Sequence, residues 1–318
     1  MPLTTDEKLM ALSREVIDAF DKANGGVHPG FRPAHAKGIL LTGAFTPAHD
    51  ATTLTRAPHI RQSSTPVTVR FSNFAGIPTV PDNDLQGASP RGFAVRFHLA
   101  EHVHTDIVAH STDNFPARTA EGLLAFLKAL IATDPAGPHP NAIEQFLGAN
   151  PAAMTFVQIP KPIPSSFARE SFYAVSAFKF TNGNGMSRYG RYRILPVAGN
   201  DYVSATAAAA QNPDFLFDEI KACITRGPVR FRIAVQLADA GDIVDDATVR
   251  WPEERTQVAF GEIGLTAVAS DNAKAQQHII FDPIPRVDGI EASADPLFEP
   301  RANIYLMTGR RRRAGAAA

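Results

Sequence analysis

Residues 65 to 72 read TPVTVRFS, and this stretch indicates the class of the fold. Val67, Val69 and Phe71 are apolar, whereas Arg70 and Ser72 fall on the opposite phase of the alternation. Successive side chains of a β-strand point to opposite faces of the sheet. The stretch therefore predicts a strand with one buried face and one polar face.

Similar alternation recurs outward from this stretch in both directions. We predict further strands at residues 38–45, 92–98, 105–109, 172–180, 187–196, 229–237, 258–268 and 276–281, and helices at 4–24, 119–132 and 212–226. Because strands and helices do not alternate regularly, the pattern favours an antiparallel sheet over a parallel one. We predict an α+β fold, a single domain built on an antiparallel β-barrel of about eight strands with added helices. Residues 1–27 would form an N-terminal helix or arm and 314–318 a disordered tail.

Composition and charge narrow the class of protein. The chain has 318 residues, is 44% hydrophobic and 20% charged, and carries a formal net charge of −1. These values are ordinary for a globular protein and give no electrostatic argument for a nucleic-acid or membrane partner. The only cysteine, Cys223, excludes metal or iron–sulfur sites built from four thiolates of this chain. The opening residues, MPLTTDEK, lack a basic segment followed by an apolar run, so we expect a cytoplasmic location.

Residues 296 to 313 read PLFEPRANIYLMTGRRRR and contain Arg301 and Tyr305, four positions apart. On a helix this spacing places both side chains on one face. A nearby guanidinium favours a phenolate, and a tyrosinate is one of the few protein ligands of haem iron. From this stretch alone, a partly buried tyrosine followed by a solvated or nucleic-acid-binding arginine run is the more common arrangement.

Two more segments carry polar residues of interest, in addition to the strand that contains Arg70 and Ser72. His35 follows Arg32 by three positions in RPAHAKG, and His110 lies within DIVAHSTDNF, residues 106 to 115. Each could be an ordinary loop or surface residue. His98, His102 and His104 lie between two predicted strands, where solvated loop histidines are more common than a metal site.

Taken together, these segments resemble the haem catalases and the shorter catalase-related peroxidases. The matches follow the family's order from about residue 28 to residue 313, so this range is the expected catalase-like haem-binding domain. They comprise HPG (28–30), RxxHAKG (32–38), TPVTVRFS (65–72), RGFAVRF (91–97), TDIV (105–108), WPE (251–253), FDP (281–283), GIExSxD (289–295) and RxxxY (301–305).

The resemblance implies a role for each matching residue. Tyr305 would be the iron ligand of haem b, and Arg301 would stabilise its phenolate. His35 would be the distal acid–base residue, held by Ser72. The remaining cofactor-binding residues would be Arg32, Arg70 and Arg312, which pair with the haem propionates, and Phe115, which packs near the haem edge.

The resemblance also implies a haem-dependent peroxidase that reduces hydrogen peroxide with a small organic electron donor and has weak catalase activity. Organic hydroperoxides are further candidate substrates. His110 occupies a position where catalases usually have asparagine; we place it among the catalytic residues, with Ser111 and Asn114 as alternative polar groups there. The chain stops just past the Arg301–Tyr305 segment, so we expect it to lack the C-terminal helical extension of full-length catalases.

Other functions remain compatible with these residues. Allene oxide synthases have the same fold and isomerise fatty-acid hydroperoxides. A haem-binding or haem-transfer protein without catalytic activity is another alternative. A haem-free barrel with an arginine-rich RNA-binding tail is the most distant alternative. The physiological donor and the oligomeric state stay open, with a homodimer as one candidate.

Overall fold

The computed structural model describes residues 3–315. Its strands are β1 (Gly38–Pro47), β2 (Thr65–Ser72), β3 (Gly92–Ala100), β4 (Val103–His110), β5 (Ile163–Pro164), β6 (Phe172–Tyr173), β7 (Phe178–Thr181), β8 (Ser187–Pro196), β9 (Tyr202–Val203), β10 (Val229–Leu237), β11 (Gln257–Val268) and β12 (Ile290–Ala292). Its helices are α1 (Glu7–Ala23), α2 (Ala51–Leu54), α3 (Ala120–Ile131), α4 (Ala142–Ala149), α5 (Pro151–Gln158), α6 (Ala205–Ala209), α7 (Phe215–Arg226), α8 (Asn272–His278) and α9 (Phe298–Gly315). None of these helices is long and apolar enough to cross a membrane.

Eight strands close into an antiparallel barrel. Their order is β10–β11–β1–β2–β3–β4–β6–β8, and β8 pairs back with β10 to complete the ring. Strands β7 and β12 continue the sheet from β8 outside the ring. The predicted fold class, an antiparallel barrel of eight strands with added helices, is confirmed.

Aromatic side chains fill the barrel interior. The Phe71 ring of β2 lies 5.4 Å from Phe93 of β3, and Phe93 lies 5.1 Å from Phe172 of β6. Because side chains alternate between faces along a strand, the residues that follow or precede these phenylalanines point away from the interior. Ser72, Gly92 and Tyr173 therefore belong to the outer wall.

Helices α1, α3 and α9 pack together outside the barrel. Val16 and Ile17 of α1 form an apolar cluster with Leu124 of α3 and Ile304 of α9. Arg311 of α9 donates two hydrogen bonds to the Asp21 carboxylate of α1, at 2.5 and 2.9 Å. The arginine run is therefore part of a packed helix. Helix α9 continues through Gly315, two residues into the range predicted as a disordered tail, and residues 316–318 lie outside the described residues.

Two of the predicted strands differ from the structure. The strand predicted at 276–281 was wrong, because Gln276 to His278 end helix α8 instead. The carbonyl groups of this segment are not paired in a sheet: those of Gln277 and Ile279 accept hydrogen bonds from Arg312. The strand predicted at 172–180 is divided into β6, which pairs with β4 and β8, and β7, which forms a hairpin with β8.

Candidate active site

A row of directly paired residues crosses five neighbouring strands at one end of the barrel. Residues paired across antiparallel strands lie on the same face of the sheet. Because this row is out of phase with the phenylalanines of the interior, it faces outward. The row consists of Gly38 in β1, Ser72 in β2, Gly92 in β3, His110 in β4 and Tyr173 in β6.

His35 lies over this row, just before β1. Its φ is 58°, in the left-handed region, which costs a non-glycine residue roughly 1–2 kcal/mol. The strained backbone is held by a hydrogen bond from the His35 N–H to the Phe74 carbonyl, at 2.6 Å. The ring nitrogen Nδ1 is 3.1 Å from Ser72 Oγ, and the ring meets Phe74 edge to face. The position and orientation of the His35 imidazole are therefore determined on several sides.

His35 is neutral at pH 7. Desolvation, followed by the charges of Arg70, His110 and Arg32, lowers the pKa of its imidazole to about 3. A neutral imidazole has one nitrogen free to accept a proton. His35 can therefore act as a base in this position.

His110 is half-buried and is also neutral. Desolvation, followed by the field of Arg301, lowers the pKa of His110 to about 3. The Thr112 N–H donates to its Nδ1 at 3.3 Å, which places the proton of the neutral ring on Nε2. Within residues 3–315 that Nε2 is screened from solvent and has no hydrogen-bond partner. His110 thus carries an N–H donor that is free to bind another molecule.

The alternative polar groups near His110 each have a hydrogen-bond partner in the protein. Ser111 Oγ accepts a hydrogen bond from the Arg91 N–H at 2.9 Å. The Asn114 amide donates to the Thr248 carbonyl at 2.8 Å. Of the three residues, His110 is therefore the one whose side-chain donor nitrogen has no hydrogen-bond partner within residues 3–315.

Helix α9 places Arg301 and Tyr305 one turn apart, as their spacing predicts. The Arg301 guanidinium lies 3.4 Å from the Tyr305 hydroxyl oxygen. The field of Tyr305 acts on Arg32, and that of Arg301 acts on His110. Arg32, which precedes β1, and Arg312 of α9 both donate to the Ile279 carbonyl, so the helix lies close to the outer wall of the barrel, and we call the region between them the chamber.

Three arginines at this chamber lack an anionic partner. Arg32, Arg70 and Arg312 donate to backbone carbonyls or to Gln276, and none forms a salt bridge with a carboxylate of residues 3–315. Desolvation lowers the pKa of Arg70 to about 9 and that of Arg312 to about 10, and it lowers the pKa of Arg32 well below its usual value. Cations kept out of water without counter-ions are unfavourable unless an anion binds. The cluster therefore suits a bound dianion.

Of the other residues singled out from the sequence, Phe115 lies near His110, and three histidines lie in the β3–β4 hairpin. The Phe115 ring lies 6.2 Å from His110 and packs on the cluster that contains Leu297, immediately before α9. By contrast, His98 and His104 are paired across the β3–β4 hairpin, and His102 occupies its turn. Among the described residues no group of three potential metal ligands is found there or elsewhere.

Comparison with known proteins decides the family. The sequence model of the catalase family matches residues 15–317. The chain belongs to the catalase family. It is 34% identical over 294 residues to a catalase-related peroxidase of Mycolicibacterium paratuberculosis, covering 92% of this chain and 91% of that protein. It is 30% identical to a catalase-related peroxidase of Synechococcus elongatus, covering 91% and 86% of the two chains.

Solved structures support the catalase fold. A fungal catalase superposes on 98% of this chain with a TM-score of 0.78 and 24% sequence identity. Catalase A of Saccharomyces cerevisiae gives a TM-score of 0.77. This catalase-family chain spans 63% of the fungal catalase and 65% of the yeast one.

Sequence analysis missed three residues that shape the chamber of this catalase-family chain. A Cβ added to Gly92 would lie 2.8 Å from His35 Nδ1 and closer still to Ser72 Oγ. A Cβ on Gly38 would collide with the Arg70 guanidinium. The Gln276 side chain accepts from Arg70 Nε at 3.0 Å and donates to the Gly38 carbonyl at 2.9 Å. A glycine within a strand often marks a place where another group approaches the backbone closely, so the two glycines could have been found from the sequence. Gln276 could not, because residues 276–281 were predicted to be a strand.

Gly92→Ala should displace the His35 imidazole. Overpacking of this kind costs roughly 1–3 kcal/mol, so the melting temperature should fall by several degrees. The ring resonances of His35 in an NMR spectrum should shift as well. The control is Gly264→Ala in β11, where an added Cβ meets nothing within 4 Å. Equal behaviour of the two variants would show that Gly92 does not make room for His35.

Proposed function

We propose that this catalase-family chain is a haem-b-dependent peroxidase of the cytoplasm that reduces hydrogen peroxide with small organic electron donors and releases oxygen only weakly. Organic hydroperoxides are further candidate substrates. One observation carries this proposal: the neutral imidazoles of His35 and His110 share a chamber with Tyr305 and with three arginines that have no carboxylate partner among the described residues. The names of the two relatives, catalase-related peroxidases, support it.

The chamber residues fit a haem. Tyr305 would supply the phenolate oxygen to the iron, with Arg301 beside it. The two propionates would provide the negative charge that Arg32, Arg70 and Arg312 lack, through charge-assisted hydrogen bonds. Phe115 would pack near the haem edge. When bound, ferric haem supplies the electrons that cleave the O–O bond of peroxide, and a tyrosinate ligand favours this cleavage. Residues 28–313 would form the haem-binding unit, which α1 covers on one side.

The distal residues of the chain would handle the protons. His35 accepts a proton from the incoming peroxide and returns it to the departing oxygen, which leaves as water. Ser72 holds the His35 ring through its 3.1 Å contact with Nδ1. His110 donates its unused Nε2–H to a peroxide oxygen and so stabilises the charge that develops there.

The absorption spectrum of the haem-loaded protein tests the proposed function. The spectrum should be that of a high-spin ferric haem with a tyrosinate ligand, should change rapidly on addition of peroxide, and should return to its initial form when a phenol or ferrocyanide is added. A purified protein that remains colourless with haem would contradict the proposal. A haem spectrum unaffected by peroxide would indicate haem binding without catalysis.

His110→Asn should raise the ratio of oxygen release to donor oxidation severalfold. A catalase must orient a second peroxide beside the oxidised cofactor, and an asparagine amide differs from imidazole in shape and donor geometry. The measurement is oxygen evolution and donor oxidation on the same preparation. His104→Asn, in the β3–β4 hairpin, is the matched control.

A wild-type protein that already releases oxygen as fast as full-length catalases, without oxidising donors, would contradict the role proposed for His110. An unchanged ratio of oxygen release to donor oxidation in His110→Asn would also contradict that role.

A further inference from the structure

A separate cavity of about 180 Å³ opens next to the row that contains His110. It is formed where the chain leaves β4, and its other walls come from residues before β5 and around β6. An engineered cavity of about 150 Å³ accommodates benzene, so this one has room for a single aromatic ring with small substituents. The lining includes Ser111, Thr112, Lys161, Glu170, Tyr173 and Tyr202.

Glu170 is the unusual residue of this cavity. Its side chain is only 4% exposed, yet it forms no salt bridge with residues 3–315. One carboxylate oxygen, Oε1, accepts hydrogen bonds from the Ser171 N–H at 2.9 Å and from the Tyr202 hydroxyl at 3.1 Å. The other oxygen, Oε2, accepts none from the described residues. Desolvation raises the pKa of Glu170 to about 7, so the carboxyl group can exchange a proton near neutral pH.

Tyr173 is the wall that this cavity shares with the chamber. It is paired with His110 across β4 and β6, so the two residues lie on the same outer face, about 4.8 Å apart from strand to strand. The Arg193 guanidinium covers the Tyr173 ring at 5.3 Å, and Asp113 binds Arg193 at 2.8 Å. A molecule in the cavity would therefore be adjacent to the distal side of the chamber without entering it.

We propose that this cavity binds the organic electron donor and that the donor is a small phenol. This inference rests on the proposed function. The phenol ring lies against Tyr173, and its hydroxyl donates to the free Oε2 of Glu170. With haem bound and oxidised by peroxide, the phenol would give up one electron to the haem, and its proton would pass to the Glu170 carboxylate. Two phenols, each oxidised to a radical, supply the two electrons needed for each peroxide reduced to water.

Glu170→Gln tests this assignment because glutamine keeps the shape of the side chain but cannot take the proton. With the haem-loaded enzyme, kcat/KM for phenol should fall about 10²-fold, the usual scale for loss of a positioned base. Ferrocyanide gives up an electron without a proton, so its oxidation should be unchanged. Tyr202 is 43% exposed, and Tyr202→Phe removes the hydroxyl that is bound to Oε1. This variant should also oxidise phenol more slowly, while its oxidation of ferrocyanide should be unchanged.

The binding of phenol is measured separately, by saturation-transfer NMR without peroxide. Glu170→Gln should weaken it, whereas Glu219→Gln should not, since Glu219 pairs with Arg226 on α7 and is not part of the cavity. Equal losses with phenol and ferrocyanide, or unchanged phenol oxidation in both cavity variants, would overturn the inference. If the wild type oxidises neither donor, the proposed function fails. The NMR comparison then decides for or against a phenol site on its own.

Discussion

Tyr305→Phe should lose most of the bound haem and the spectrum of a tyrosinate-ligated ferric iron. The substitution removes one oxygen atom, the proposed ligand. It leaves the ring, which packs against the apolar cluster formed by α1, α3 and α9. The fold should therefore persist while the cofactor is lost. Haem content by the pyridine haemochrome assay and the visible spectrum measure the effect, and circular dichroism reports on the fold.

The matched control for Tyr305→Phe is Tyr189→Phe in β8, at a surface residue that is 36% exposed. It should keep the haem content and spectrum of the wild type. If Tyr305→Phe kept both as well, Tyr305 would not be the ligand. Release of haem by both variants would indicate a general loss of stability.

His35→Ala should slow the reaction with peroxide by about 10²-fold or more, since a positioned acid–base group is lost. Haem should remain bound, because His35 is not proposed as a ligand. Stopped-flow absorbance after mixing with peroxide gives the rate directly. His104→Ala in the β3–β4 hairpin should react like the wild type.

The left-handed backbone at residue 35 provides a second variant. Alanine at φ 58° keeps the strain of the native backbone, whereas His35→Gly adopts this conformation without cost. If the imidazole matters for proton transfer, both variants should be slow even though the glycine variant is unstrained. An unchanged rate in both would identify another base, and His110 is the nearest candidate.

Local patterns in the sequence were sufficient for much of the barrel. The alternation in residues 65–72 predicts β2 with the correct bounds, and its phase places Phe71 inside and Ser72 outside. The helical spacing of Arg301 and Tyr305 predicts their contact on α9. These features depend on the period of two in a strand and of 3.6 in a helix, which neighbouring residues determine. The roles of the site residues stay predictions until the variants are measured.

Such local patterns did not predict the contacts between segments that are distant in the sequence. Gln276 lies 206 residues from Arg70, and the alternation around it indicated a strand that does not exist. The cavity beside Glu170 depends on Tyr202, 32 residues away, whose strand has only two residues. No periodicity marks such partners, because they meet only when helix α8 and strand β9 pack against the rest of the fold.

The sequence by itself therefore determined most of the strands that form the barrel, the buried face of β2, and the order of segments that resembles the catalases. Only the tertiary structure decided which polar groups are left without partners. Within residues 3–315, three arginines have no carboxylate partner, His110 Nε2 has no hydrogen-bond partner, and Glu170 Oε2 accepts no hydrogen bond. The physical reason is that a hydrogen bond or ion pair is satisfied in space by whatever group the fold brings within about 3 Å. That outcome depends on the packing of the whole chain and on no single stretch of it.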